Sequence, residues 1–555
     1  MKKSTSIVLA LTLILTLLAS CSSTPSNNDS TPGATVSSGS NDSTPGVNTP
    51  SNSNQPVENS RKIAVTVGCR NLIPSLIPFV APNPFTNAIT GTFYQYLAQR
   101  EKAGDSELSP GLAKSWKQID SSTYEFELYD YITDSNGNKV TASDVAYSVE
   151  QAKAGGVVQA NNVTSIEITG EYTFIARLSG DEVGNIEGFC ENVFIVSQKS
   201  YEESPDQMAT TPVGTGPYKL VDYVAGSYVI VEKRDDFWQK AEINSPYYYA
   251  NVDVIRFDFL PESTQLEGAL LQDNIQMAVQ VNIVNISALE ADSRYKVEAA
   301  PTATRRALVY NMMDGNPLCD IKIREAIAYA IDGQGLVDGV CDGYATVPKG
   351  IGGSTFIGYN PKWENPDYYA YNPAKAKQLL AEAGYPNGGL TLRVVNNGLT
   401  ATVGYYEMMN AYLQEVGITL DVVNYEPSVY GGYQLNVVSN EWDLILGYNL
   451  NAIYQAAYWS GWLKAENFSH GLTQGGLEDP KLQGMLRKAL NSDWIQKDVD
   501  DLNEYIIDNC LVYMFLIENN YHCANKAITN VYYGGRGDFR VGACTYSSDY
   551  SYFAD

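Results

Sequence analysis

The chain has 555 residues and a formal charge of −26, from 63 acidic and 37 basic side chains. That surplus argues against a nucleic-acid partner, whose phosphates must be met by Lys and Arg. With 2 histidines in the whole chain, there is little material for chemistry that needs a neutral-pH base.

The N-terminus carries Lys2 and Lys3, then an apolar run from Ile7 to Ala19 interrupted by Thr12 and Thr16. The run falls short of the roughly 20 residues a spanning helix needs and has the layout of an export signal. It ends in Leu18-Ala19-Ser20-Cys21, which resembles a bacterial lipobox. That reading makes residues 1–20 a lipoprotein signal and Cys21 the lipidated new N-terminus; an ordinary secretory cut near Ala19 is the alternative. Residues 22–60 are almost all Ser, Thr, Pro, Asn, Asp and Gly, with the near repeat Asn28–Gly33 and Asn41–Gly46. Such a stretch has nothing to bury and is expected to be a disordered linker reaching roughly 35 Å.

The body from about 61 to 555 exceeds one ordinary core, so two or three lobes are expected. Strands are predicted at 63–67, 124–128, 228–232, 253–259, 443–447 and 511–517. Thr141-Ala142-Ser143-Asp144 matches a capping box. Ile323, Ala326, Ile327, Ala330 and Ile331 recur at helical spacing. Asn372 as N-cap and Pro373 at the first helical position open a helix with Ala376, Leu379, Leu380 and Ala383 on one face. Gly384 and Pro386 stop it. A strand from Leu390, a helix over about 403–416 and a strand over 418–425 then form a βαβ-type unit, so the fold class is α/β.

Of 8 cysteines, Cys21 is assigned to lipid. Seven remain, so at least one is unpaired. Cys319/Cys341 and Cys510/Cys523 are the candidate disulfides. The high tyrosine content, 40 residues, supplies apolar faces with polar tips.

Catalytic signatures are absent. There is no G-x-S-x-G, since Gly352-Gly353-Ser354-Thr355-Phe356 lacks its closing glycine, and no H-E-x-x-H or Walker loop. A carboxylate pair for glycoside hydrolysis depends on spatial separation and stays open as a secreted-hydrolase alternative; a non-enzyme is expected, with no cofactor and no metal. Gly214-Thr215-Gly216 looks like the start of a phosphate loop, but a third glycine is missing and Pro217 has no N–H to offer. The glycines are read as a tight turn, with a β-ribbon from Tyr218 to Trp238.

Pro212-Val213-Gly214-Thr215-Gly216-Pro217-Tyr218 followed by Phe237-Trp238 resembles a signature of the family-5 extracellular solute-binding proteins. Further motifs follow in that family's order. Pro110–Trp116 resembles P-G-L-A-x-x-W, and Thr141–Ser148 resembles T-A-x-D-V-x-Y-S. Asn311 with Ile323–Asp332 resembles N…V-R-x-A-l-x-x-A-I-D, and residues 371–385 resemble Y-D-P-x-K-A-x-x-L-L-x-x-A-G-Y.

The resemblance implies a bilobal periplasmic-binding-protein-like fold (type II, cluster C) with an extra subdomain. The first lobe combines 61–92, 210–298 and 511–555. The extra subdomain is 93–209 and the second lobe 299–510, with chain crossings near 299 and 511. It also implies a monomeric, lipid-anchored extracytoplasmic receptor of an ABC importer. Such a receptor binds peptides between closing lobes and hands them to permease and ATPase subunits in the membrane.

Two departures bear on the ligand. The F-H-x-G expected before Thr141 is replaced by Tyr131–Asn138. The acid that pairs a peptide's ammonium is absent from Gly447 to Leu463; the first one after that stretch is Glu466. A buried ammonium without a carboxylate costs several kcal/mol. The stretch instead holds Tyr448, Asn449, Asn451, Tyr454, Gln455, Tyr458, Trp459 and Trp462, rings and amides that suit sugars or apolar side chains. An oligosaccharide ligand is therefore the alternative to a peptide. Tyr448, Asn449, Asn451, Tyr454 and Trp459 are candidate ligand contacts, with Asn311 and Tyr94; the spacing of Tyr454 and Tyr458 fits a packed helix face equally.

Overall fold

The computed structural model describes residues 62–553, apart from 72–73, 81–83, 241–242, 244, 366, 399, 427–428, 431–432, 434–440, 450–452 and 465–478. The signal, Cys21 and the linker lie outside the described residues. Among the described residues, no helix is long and apolar enough to cross a membrane.

The first strand, β1 (Ala64–Cys69), alternates so that Val65 and Val67 are buried. A separate antiparallel sheet follows, from β2 (Ala113–Asp120), β3 (Thr123–Leu128), β4 (Val163–Ile168) and β5 (Thr173–Leu178), in the order β2-β3-β5-β4. The chain then returns to the sheet of β1 with the hairpin β6 (Tyr218–Val224) and β7 (Tyr228–Lys233), then β8 (Val254–Phe259) and β9 (Met277–Val279). Ile255, Phe257 and Phe259 point inward from β8, which runs parallel to β1 in the register Val65↔Ile255, Val67↔Phe257.

The long strand β10 (Tyr295–Tyr310) leads into the second half: β11 (Ala345–Thr346), β12 (Leu390–Asn396), β13 (Ile418–Asn424), β14 (Leu444–Asn449) and β15 (Val512–Asn525). These strands make one 11-stranded sheet in the order β13-β12-β14-β10-β15-β9-β1-β8-β7-β6, with β11 on β15. β10 and β15 pair antiparallel from Tyr295↔Asn525 to Val309↔Val512, with a bulge between Ala299 and Ala303.

Three apolar clusters flank this sheet. The first draws on residues from Val65 to Val279 and on Ala524 to Tyr550. The second runs from Ala307 to Leu516. A third, smaller one joins Leu266, Leu270, Ile286, Tyr295 and Cys523.

Local signals are obeyed. Thr141 N donates to Asp144 Oδ2 at 2.7 Å, starting the helix Ala142–Ala154. Asp320 caps Ile321–Ala330, which buries Ile323, Ala326, Ile327 and Ala330. Asn372 caps Pro373–Glu382, with Ala376 and Leu380 buried. β12 and β13 pair in parallel through the helix Thr400–Val416. Gly417 sits at φ +93, a left-handed conformation that L side chains resist.

Two expectations are corrected. The described cysteines are all free. Cys319 is exposed and donates to Met313 O at 3.0 Å, while Cys341 lies in the second cluster against the Tyr405 hydroxyl. Cys510 and Cys523 belong to different clusters. The glycines at 214 and 216 are not a positive-φ turn. They serve close approach: a Cβ on Gly214 would fall 2.2 Å from Phe93 O, and one on Gly216 2.4 Å from Thr92 O.

The motif is a hydrogen-bonded scaffold. Gly216 N donates to Phe93 O at 2.7 Å, and Arg234 donates to the carbonyls of Gly214, Gly216 and Asp134 at 3.2, 3.1 and 2.9 Å. Trp238 Nε1 donates to Thr215 O at 2.9 Å. The ribbon ends at Lys233, so Trp238 is a buried plug beyond it. Gly214→Ala is expected to destabilise the protein by about 3 kcal/mol, since backbone rather than a flexible side chain blocks the methyl; urea unfolding measures it, and an unchanged midpoint refutes the close-approach account.

Candidate functional site

Between the end of β10 and β15 that packs at Tyr295 and Cys523 in the third cluster and the end that packs in the second, the bulge at Ala299–Ala303 interrupts the ladder. Two cavities adjoin there, and both are lined by Pro301. One, of about 440 Å³, is bounded by Ala300, Arg305, Ile517 and Asn519 from the two strands, by the loop 346–355, and by Tyr359 and Glu364. The other, of about 480 Å³, is bounded by Lys296, Glu298 and His522 from the strands, by Lys102 and Ala103, and by Thr529–Tyr533.

Arg305 organises the first cavity. Its Nε donates to Gly352 O at 3.1 Å, and its guanidinium lies 4.5 Å from the centre of the Phe356 ring. Burial lowers its pKa from the ordinary arginine value, but a guanidinium remains charged in proteins. The loop is held from behind by the start of the helix Gln455–Leu463. Ile357 N donates to Ile453 O at 2.8 Å, Gln455 N donates to Ile357 O at 2.9 Å, and the Gln455 side chain receives Gly353 N at 3.4 Å. Glycines at 352 and 353 let the loop sit against Gln455 and Arg305, where a Cβ would come within 2.2 and 2.5 Å.

In the second cavity, His522 is 3 % exposed. Its Nδ1 lies 2.9 Å from the Tyr533 hydroxyl and its Nε2 3.5 Å from Glu298 Oε2. A lone pair on Nε2 would face that carboxylate, so the ring proton belongs on Nε2 and Nδ1 accepts from Tyr533. Burial drives the His522 pKa down to about 4, against the opposing pull of Glu298. Glu298 is ion-paired with Lys296 at 3.0 Å.

The two large clusters are also linked through the segment 181–187, between β5 and the helix Asn185–Asn192. Val183 N donates to Leu490 O at 2.7 Å and Ser492 N to Asp181 O at 2.8 Å. Lys464 Nζ reaches Glu182 at 2.7 Å, and the Tyr454 hydroxyl donates to Glu187 Oε1 at 2.8 Å. Burial first, then Glu187, pushes the Tyr454 pKa up.

The residues singled out in the sequence fall as follows. Tyr454 ties the segment 181–187 to the second cluster. Trp459 is fully buried, its Nε1 donating to Asn503 Oδ1, and Tyr458 packs 5.3 Å from Phe356. Asn311 is buried, donating to Trp442 O at 2.8 Å and receiving Met313 N at 3.1 Å. Tyr94 is interior, its hydroxyl donating to Leu76 O at 3.0 Å. Tyr448 and Asn449 pair by backbone with Arg306 and Arg305; their side chains, with Asn451 and Cys21, lie outside what is described.

The described part of the aromatic stretch thus forms the support behind a wall, and the wall itself, 346–355, was not anticipated. Its signal was the run Gly350-Ile351-Gly352-Gly353-Ser354-Thr355, small residues where backbone lines space.

The family model for bacterial extracellular solute-binding proteins, family 5 (middle), matches residues 107–469. The dipeptide-binding protein of Escherichia coli K12 is 24% identical over 364 residues, 59% of this chain and 65% of that protein. The fold is shared with the oligopeptide-binding protein AppA from Bacillus subtilis, solved with a nonapeptide (TM-score 0.69, 19% identity, 88% of this chain and 100% of that one). It is shared too with a dipeptide binding protein from Pseudoalteromonas sp. SM9913 solved with Met-Leu (TM-score 0.70, 18% identity, 87% and 100%).

The depressed His522 pKa makes stability pH-dependent. Above the unfolded value of about 6.5 both states are neutral; below it the unfolded ring takes a proton that the folded ring refuses. Stability is therefore lost as pH falls from about 6.5 to about 4, by roughly 3 kcal/mol from this group. Urea midpoints of wild type and His522→Gln across that window are expected to converge at low pH; parallel curves refute the assignment.

Proposed function

This chain belongs to the family-5 bacterial extracellular solute-binding proteins, and from that premise we propose that it is the lipid-anchored receptor of an ABC importer, capturing peptides and delivering them to a membrane permease. Relatives in the family are solute-binding proteins, not enzymes, and the proposed role is capture without chemistry. The observation that carries the reading is the pair of adjoining cavities at the β10–β15 bulge, between the two large apolar clusters. In this reading the first lobe is 61–92, 210–298 and 511–555, with 93–209 as its extra subdomain; the second lobe is 299–510. The lobes close on the ligand about the two long strands.

Peptide is favoured by the ligands named for the relatives above. The saccharide alternative leaned on the aromatic rings of 447–463, and Tyr458 and Trp459 are interior. The acid missing from that stretch has a replacement in Glu364, which lines the first cavity. Mass spectrometry of the ligand released from purified, denatured protein is expected to find peptides. Saccharides alone would overturn the peptide reading. Cys21→Ser is expected to move the protein from the membrane to the soluble fraction, and a variant still sedimenting with membranes would refute the anchor.

A further inference from the structure

The charge of the two cavities runs against the charge of the protein. The chain as a whole carries −26. Yet the ionic side chains lining the first cavity are Arg305 and Lys349 against Glu364, and those lining the second are Lys102 and Lys296 against Glu298. The acids are engaged: Glu364 receives the Tyr359 hydroxyl at 2.7 Å, and Glu298 pairs with Lys296. Among the described residues, the ammonium groups of Lys102 and Lys349, one in each cavity, have no hydrogen-bonding or ion-pair partner. His522 also lines the second cavity, with its Nε2–H turned toward Glu298 Oε2 at 3.5 Å.

Cations inside a concave site with low-dielectric walls concentrate anions there, even on an acidic protein. When the site is shut off from water, a carboxylate on such donors gains charge-assisted hydrogen bonds, whereas an added cation would be left without an uncommitted acid. We propose that the site is selective for anionic ligands carrying a carboxylate into each cavity, the class being acidic peptides with a side-chain carboxylate besides the terminal one. One carboxylate meets Lys102; the other meets Lys349 and Arg305. The peptide's own ammonium has Glu364 as the least committed acid, held only by a tyrosine hydroxyl. The inference rests on the reading of these cavities as the ligand site.

The test is calorimetric titration of the purified chain with tripeptides of equal length, Glu-Ala-Glu, Ala-Ala-Ala and Lys-Ala-Lys, and with neutral and uronate-bearing oligosaccharides. Glu-Ala-Glu is expected to bind at least about tenfold tighter than Ala-Ala-Ala, with Lys-Ala-Lys weaker still. The advantage should shrink between about 50 mM and about 500 mM salt. Lys102→Gln and Lys349→Gln, both exposed, should each weaken Glu-Ala-Glu about three- to tenfold, and only one of the two, the one that faces the terminal carboxylate, should also weaken Ala-Ala-Ala. Neutral or cationic ligands binding as tightly as anionic ones overturn the charge selectivity while leaving peptide capture intact. Uronate-bearing saccharides binding where no peptide does keep the charge selectivity and overturn the peptide reading. Titrations silent for every ligand overturn both.

Discussion

The rest of the structure depends on the pairing of two long strands, β10 and β15. Their ladder runs from Tyr295↔Asn525 to Val309↔Val512, so one set of backbone hydrogen bonds serves both halves of the molecule. At one end β15 also pairs with β9, and at the other β10 also pairs with β14. The apolar clusters sit over those ends. Between them, at the bulge, extra residues break the register, and a bulge leaves backbone and side chains unpaired. Polar and charged groups such as Glu298, Arg305, Asn519 and His522 therefore stand at the edges of space rather than in a core.

The walls of that space are held by ordinary means. Arg305 fixes the 350–356 loop from the front through a carbonyl and a ring, and Gln455 holds it from behind. The segment 181–187 adds a second bridge between the halves, made of two backbone hydrogen bonds, an ion pair and the Tyr454–Glu187 contact. The backbone bonds and the partly buried tyrosine define the geometry, and Val183 seats against the second cluster.

The motif that most resembles a ligand site in the sequence is architecture. Gly214-Thr215-Gly216 lies against the carbonyls of Thr92 and Phe93 and is clamped by Arg234 and Trp238. A close backbone approach constrains sequence as tightly as a bound phosphate would, because a single Cβ is excluded. This part of the family signature is thus written in scaffold residues.

The amino-acid sequence by itself determined the elements whose cause is local. Caps at Thr141, Asp320 and Asn372, the apolar face of 321–330, the βαβ unit over 390–424 and the alternation in β1 and β8 all follow from neighbours a few residues apart. The sequence also carried the family motifs. It did not show that β10 is a 16-residue strand, because its middle is polar and no core covers it. Nor did it place the site. Arg305 and His522 come to the two cavities on the paired strands β10 and β15, while Lys102 and Lys349 reach them from loops far away in sequence. Tyr94, Asn311 and Trp459 looked exposed-polar or aromatic enough to touch a ligand, but tertiary packing gave each a carbonyl or amide inside the protein. Burial and partner are properties of the assembled fold, and a one-dimensional pattern cannot distinguish a tyrosine that caps a core from one that lines a cavity.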